Sequence, residues 1–181
     1  MMAYRKQGAS VPPWAIPWVH VYDDVAGPHK LTCGLVHGVM LDKPHMSQTA
    51  IAATLGLSRR TVCRHVRTIR EEGLQDLPSG TWTPYPFNLA NLWNDSIAVA
   101  VLMSTQRYAM MPSGTCWASV ANIGARVGVS ERKTRDALRA LEYRHRVVTR
   151  IAKPGRTATY SVRHDAINRM LGLDDVDVLR W

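Results

Sequence analysis

The chain has 181 residues, 46% of them apolar and 20% charged, and a net charge of +9. That much apolar content excludes a disordered chain, and the positive balance points to a polyanionic partner. Three cysteines without CxxC spacing argue against a disulfide framework, and the longest apolar run, the seven residues Ile97 to Met103, is too short to cross a bilayer. A protein of the reducing cytosol, nucleoid-associated and away from membranes, is expected; Pro12, Pro13 and Pro17 interrupt any signal-peptide core.

Residues 1–27 read as an irregular N-terminal extension, with Trp14 and Trp18 expected to pack on the first core and Val19 to Tyr22 as a short strand. Leu31, Leu35, Val36, Val39 and Met40 recur at helical spacing and predict a helix near 29–41, ending before Pro44. Ser47 to Leu55 predicts a second helix stopped by Gly56, and Ser58 caps a third that runs to about Glu72. Leu74 to Tyr85 offers a stunted hairpin, and Thr83 to Leu89, with its two prolines, reads as linker or edge strand. The order then starts again. Helices are predicted over Ser96 to Met110, Ser119 to Val127 and, after a Ser130 cap, Glu131 to His145; Gly114 to Trp117 between the first two is a turn and short strand. Val147 to Ala152 and Thr157 to Val162 alternate as two strands around a turn at Lys153 to Arg156. A short helix and an acidic tail close the chain.

The two halves say the same thing. At an offset of 72 residues Ile51 falls on Ile123, Ala53 on Ala125, Gly56 on Gly128, Ser58 on Ser130, Arg60 on Arg132, Arg67 on Arg139 and Ile69 on Leu141. Such agreement in one register implies an internal duplication. The units are expected at 28–83 and 96–163, with a linker over 84–95 and a C-terminal helix and tail over 164–181.

Each unit meets the steric demands of a helix-turn-helix. Ala52 and Gly124 are the small residues where two helices cross, Gly56 and Gly128 make the turn, and Leu57 and Val129 plug it. In the first unit Val62, Val66 and Ile69 lie within about 60° of one another on a helix, which leaves Arg60, Arg64 and Arg67 on the far side, with Arg59 and Thr61 at its start. Arg59 to Arg70 holds five arginines and no acid. A ridge of guanidiniums fits a major groove, where guanine edges accept bidentate bonds. In the second unit Thr134, Leu138 and Leu141 face inward, and Arg132, Asp136 and Arg139 face outward, flanked by Lys133 and Arg135. Asp136 either accepts from a cytosine amino group or pairs with Arg132 or Arg139. Lys153 and Arg156 put cations on the hairpin tip, where a wing would meet the phosphate backbone.

Thr115-Cys-Trp-Ala-Ser119, Ile123-Gly-Ala-Arg-Val-Gly-Val-Ser130 and Thr134-Arg-Asp-Ala-Leu-Arg-Ala-Leu-Glu142 resemble the winged helix-turn-helix superfamily, in particular DNA-binding domains of phage and plasmid replication initiators and of transcriptional repressors. The resemblance implies a mainly α fold with small β-hairpin wings, two tandem winged helix-turn-helix domains, and double-stranded DNA as partner. It implies a regulator of a phage, plasmid or mobile element, with a replication initiator or partition factor as the alternative and a protein-assembly module as a further one. The short, proline-rich wing of the first unit departs from that pattern.

No enzyme, cofactor or metal is expected: phosphate loops, paired carboxylates and nucleophile constellations are missing from the sequence. His29, Cys33 and His37 share a helical face, but zinc needs a fourth ligand and only His45 is near in sequence. Leu179 and Trp181 leave a homodimer or a protein partner of the C-terminal tail open.

Overall fold

The structure, a computed structural model, describes residues 18–74, 81–109, 114–152 and 158–171. The elements run β1 (Trp18–Tyr22), α1 (Asp23–Asp42), α2 (Gln48–Leu55), α3 (Arg59–Glu71), β2 (Trp82–Pro86), α4 (Phe87–Trp93), α5 (Ser96–Ala109), α6 (Val120–Arg126) and α7 (Glu131–Arg139). A π-helical turn over Ala140–Arg144, β3 (Val148–Ile151), β4 (Thr159–Val162) and α8 (His164–Leu171) complete them. The fold is mainly helical with two small antiparallel sheets, β1 with β2 and β3 with β4. Trp14, Leu179, Trp181 and the hairpin tip with Lys153 and Arg156 lie outside the described residues, as does the side chain of Trp18.

The helix expected from residue 29 begins earlier. Asp23 and Asp24 sit in its first turn, where carboxylates favour the positive end of the helix dipole, and the chain breaks at Lys30 (φ 73°, ψ 158°) before continuing to Asp42. Apolar periodicity marks only the part after the break. Residues 18–27, expected as irregular apart from one strand, are therefore β1 and the opening of α1.

The second strand of the expected hairpin pairs at longer range, while residues 75–80, which would hold its first strand and turn, lie outside the described residues. β2 pairs with β1 in the register Trp18↔Pro86, His20↔Pro84 and Tyr22↔Trp82. Pro84 and Pro86 are two apart, so their missing N–H groups fall on one edge and leave Thr83 and Tyr85 to make the ladder. On the other edge of β1 the His20 N–H donates to Asp42 Oδ2 at 3.0 Å. That edge lies against α1 so closely that a Cβ on Gly38 would come within 2.2 Å of the His20 carbonyl oxygen. Only glycine lets strand and helix approach this far.

The stretch expected as a linker is packed. After β2 the chain forms α4, whose Leu89 and Trp93 are buried, and the Trp93 ring stacks on His145 at 4.0 Å between centroids. Asp95 then caps α5 by accepting from the Ala98 N–H at 2.9 Å. Residues Ala98 to Gln106 of α5 are all buried, because β2, α4, α6, α7 and β4 pack around the helix. Val99, Val101, Leu102 and Met103 are each at most 1% exposed, and each such side chain contributes about 1.5 to 3 kcal/mol by leaving water. This is the run whose length excluded a membrane span; no helix among the described residues is long and apolar enough to cross a membrane.

His37 is buried on the first core, donating from Nε2 to the Leu74 carbonyl at 2.7 Å while Nδ1 meets no partner. Burial holds its pKa below the usual histidine range, against the raising effect of the Leu74 carbonyl. Protonation would bury a second, unanswered N–H. Because the folded-state pKa is the lower one, the unfolded chain takes up the proton first, and stability falls as the pH drops below about 6.5. Urea midpoints of the wild type should therefore fall between pH 7.5 and 5, and His37→Gln should flatten that dependence in part; His65 and His145, also lowered chiefly by burial, supply the remainder.

Candidate nucleic-acid interface

Two segments of the chain, 72 residues apart, share a helix-turn-helix geometry and several of its hydrogen bonds. In the first, Ser47 caps α2 by accepting from the Ala50 N–H at 3.2 Å; in the second, Ser119 caps α6 by accepting from the Asn122 N–H at 3.1 Å. The turn is closed by Leu57 N–H to Ala52 O at 2.9 Å and, 72 residues on, by Val129 N–H to Gly124 O at 2.9 Å. Gly56 (φ 62°) and Gly128 (φ 67°) take the left-handed conformation that this closure needs. Where the helices cross, a Cβ on Gly124 would lie 2.3 Å from Thr134 Oγ1, and Ala52 is buried at the matching position.

Each unit presents its basic helix outward. On α3, Val62, Val66 and Ile69 are at most 3% exposed, whereas Arg59, Arg60, Arg64, Arg67 and Arg70 are all exposed. Ser58 caps the helix through the Thr61 N–H at 3.1 Å, and its hydroxyl also meets the Thr61 hydroxyl at 2.8 Å. Thr61 is thus half-buried and engaged with the cap. Arg67 pairs with Glu71 at 3.0 Å, one turn along; an exposed pair of this kind is worth only a few tenths of a kcal/mol and leaves the guanidinium free to exchange partners.

On α7, Thr134, Ala137 and Leu138 are buried, and Arg132, Lys133, Arg135, Asp136 and Arg139 are exposed. Arg135 pairs with Glu131. Asp136 forms no ion pair with Arg132 or Arg139, so the intrahelical pairing offered for it does not occur. The expected Ser130 cap is also only half right: Ser130 has the extended backbone of a cap, but its hydroxyl accepts no cap hydrogen bond. The helix predicted to His145 tightens its bookkeeping at Ala140, where the ladder lengthens to a π turn closed by His145 N–H to Ala140 O at 2.9 Å. This turn aims Tyr143 into solvent, 71% exposed.

β3 and β4 form the hairpin beside α7, in the register Val148↔Val162 and Arg150↔Tyr160. Cys116 is bridged to the same sheet, exchanging N–H and C=O with Tyr160 at 2.7 and 2.9 Å, which seats the short strand expected before α6. A cleft of about 320 Å³ separates the hairpin from α7, with Arg135, Arg139 and Arg150 on its walls. Arg150 was missed in the sequence because strand alternation assigns it the face of buried Val148; here the strand end carries it clear of the core.

The other candidates have local roles. His29 faces Glu72 at 3.1 Å, and Cys33 is fully buried, its thiol pushed up to about 11 chiefly by desolvation. No group of three or more histidine, cysteine or acidic residues converges as metal ligands would among the described residues. Cys63 donates its thiol to Gln48 Oε1 at 3.0 Å, tying α3 to α2.

The two units are joined through α1. Its break at Lys30 sits on the turn of the second unit, where Leu31 N–H donates to Gly128 O at 3.3 Å and a Cβ on Gly128 would come within 2.0 Å of Ala26 O. Next to this contact Arg126 lies 3.0 Å from Asp23 Oδ2, donates from Nε to Thr83 Oγ1 at 3.2 Å, and covers the Tyr108 ring at 5.4 Å. Asp23 in turn accepts from the Thr81 hydroxyl at 2.5 Å. The Asp23–Arg126 contact is one of charge rather than a hydrogen bond, since Arg126 Nη2 and Asp23 Oδ1 are buried without hydrogen-bond partners. Burial outweighs both Thr81 and Arg126 and raises the Asp23 pKa.

A family model described as a homeodomain-like domain matches residues 39–78, which span the end of α1, α2 and α3. The chain carries a helix-turn-helix DNA-binding domain. No curated protein matches the chain.

Gly56 and Gly128 offer a matched test of this junction. A Cβ at Gly56 meets open space, so Gly56→Ala should lose only the left-handed penalty, about 1 to 2 kcal/mol. Gly128→Ala should lose about 1 to 3 kcal/mol more, because the methyl overlaps α1. Urea denaturation of both variants reads the difference, and equal losses would mean that α1 does not sit on the second turn.

Proposed function

We propose that the chain is a sequence-specific double-stranded DNA-binding regulator, repressor-like, that reads neighbouring major-groove segments with α3 and α7. The observation that carries this reading is the pair of basic helices, each outward-facing on a helix-turn-helix of the same hydrogen-bond pattern and held to the other by the α1 junction. Arg60, Arg64 and Arg67 are the base-reading candidates on α3, with Arg59 and Thr61 at the phosphates near its start. Arg132, Arg135, Asp136 and Arg139 are the counterparts on α7, with Lys133 toward the backbone. The β3–β4 hairpin is the wing of the second unit, with Arg150 at the cleft beside α7 and with Lys153 and Arg156, outside the described residues, as its candidate backbone contacts. The units are taken as 28–83 and 96–163, with β1 and α4 as the packing that secures each.

Exposed guanidiniums favour DNA over protein assembly, because an assembly surface is depleted in charge at its centre. Selection of bound duplexes from a random pool tests the reading. It should return two motifs about one helical turn, 34 Å, apart. One motif over a promoter supports regulation, and arrays of direct repeats at an origin support replication initiation instead. Arg64→Ala should weaken binding to the selected site by about 1 to 3 kcal/mol and relax the preference at one base pair. Unchanged affinity and preference would remove α3 from base reading.

A further inference from the structure

We infer that the cleft between the two units is a phosphate-backbone site, in which Lys30 of α1 and Lys133 of α7 hold the DNA strand that passes from one recognition helix to the other. The inference rests on the duplex-binding reading above and adds to it a contact that belongs to neither unit alone.

The cleft has a volume of about 530 Å³ and is walled on one side by Pro28, Lys30 and Thr32 and on the other by Gly128, Ser130 and Lys133. None of the residues lining it is acidic. Both lysines are exposed, and neither forms an ion pair with a described residue. Asp23, the carboxylate at the junction, is already committed to Arg126 and Thr81. Ser130, whose hydroxyl is not spent on capping α7, adds a donor to the same wall. Two unneutralised ammonium groups on facing walls, with a hydroxyl on one of those walls, match a backbone phosphate and carry no means of telling one base from another.

Lys30 also holds a conformation that only glycine adopts without cost, φ 73° and ψ 158°. The Gly128 contact holds the backbone there. Glycine would satisfy the backbone geometry at position 30 but would leave one wall without its charge. An exposed lysine at a strained break, lining the cleft between the two units, is what a backbone clamp requires.

The test measures binding of the full chain to a mixed-sequence duplex long enough to reach both units, as the slope of log Kd against log salt concentration. Lys30→Gln and Lys133→Gln should each reduce the slope by about one, and the double variant by about two. The motif selected from a random pool should not change. Lys30→Gly should show the same loss of slope together with a higher Tm, because it relieves the strain while removing the cation. Wild-type slopes in the Lys30 variants would overturn the proposal while leaving duplex binding intact, and so would a loss of slope accompanied by a lower Tm in both, which would trace the effect to a broken junction. A wild-type chain whose duplex binding did not respond to salt would overturn this proposal together with the reading beneath it.

Discussion

The seating of α1 on the second helix-turn-helix is the constraint on which the rest depends. Two outward-facing basic helices on a flexible tether would take many relative orientations. Here a strained break at Lys30, the bare backbone of Gly128 and the partly buried charges of Asp23 and Arg126 meet at one junction. The charge pair contributes more to orientation than to stability: desolvation raises the Asp23 pKa despite its two partners, the signature of an ion pair whose burial costs about as much as its attraction returns. Removing one partner would be far worse than removing both, since it would strand a charge that is already mostly out of water.

The two helix-turn-helix segments share their turn closure and first-helix cap but not their surroundings. The turn at Gly56 opens into free space, whereas the turn at Gly128 is covered by α1. The first unit is stitched by the Cys63–Gln48 contact and by a β-sheet assembled from strands before and after its helices, and the second by a true hairpin that follows its basic helix. α5 serves both, buried along its length and bonded through the Ser104 hydroxyl to the Ile123 carbonyl at 3.0 Å. On such a frame the arginines of α3 and α7 are held in place by their backbones while their side chains stay exposed to solvent.

What the sequence made legible was local. The Ser47, Gly56, Ser58 and Gly128 signals each encode a cap or turn within a few residues, and the inward positions of Val62, Val66 and Ile69 follow from helical period alone. What it hid was long-range. Pro84 and Pro86 left linker and edge strand both open, and the edge strand is formed because β1, more than sixty residues earlier, pairs through Thr83 and Tyr85. Residues 87–93 read as linker because nothing local announces that Trp93 will stack on His145. Lys30 and Arg126 carry no motif, and their roles exist only once the units meet. Arg150 was concealed by a period-two pattern that holds within a sheet and fails at its end.

Distance measurement by electron spin resonance tests the fixed relation between the units most directly. Nitroxide labels at exposed Arg70 on α3 and exposed Asp136 on α7, in a Cys63→Ser background that leaves the buried Cys33 and Cys116 untouched, report the separation of the two basic helices. A single narrow distance in the free protein, broadened when Arg126→Ala is added, is the predicted result. A broad distribution in the unaltered junction would contradict it.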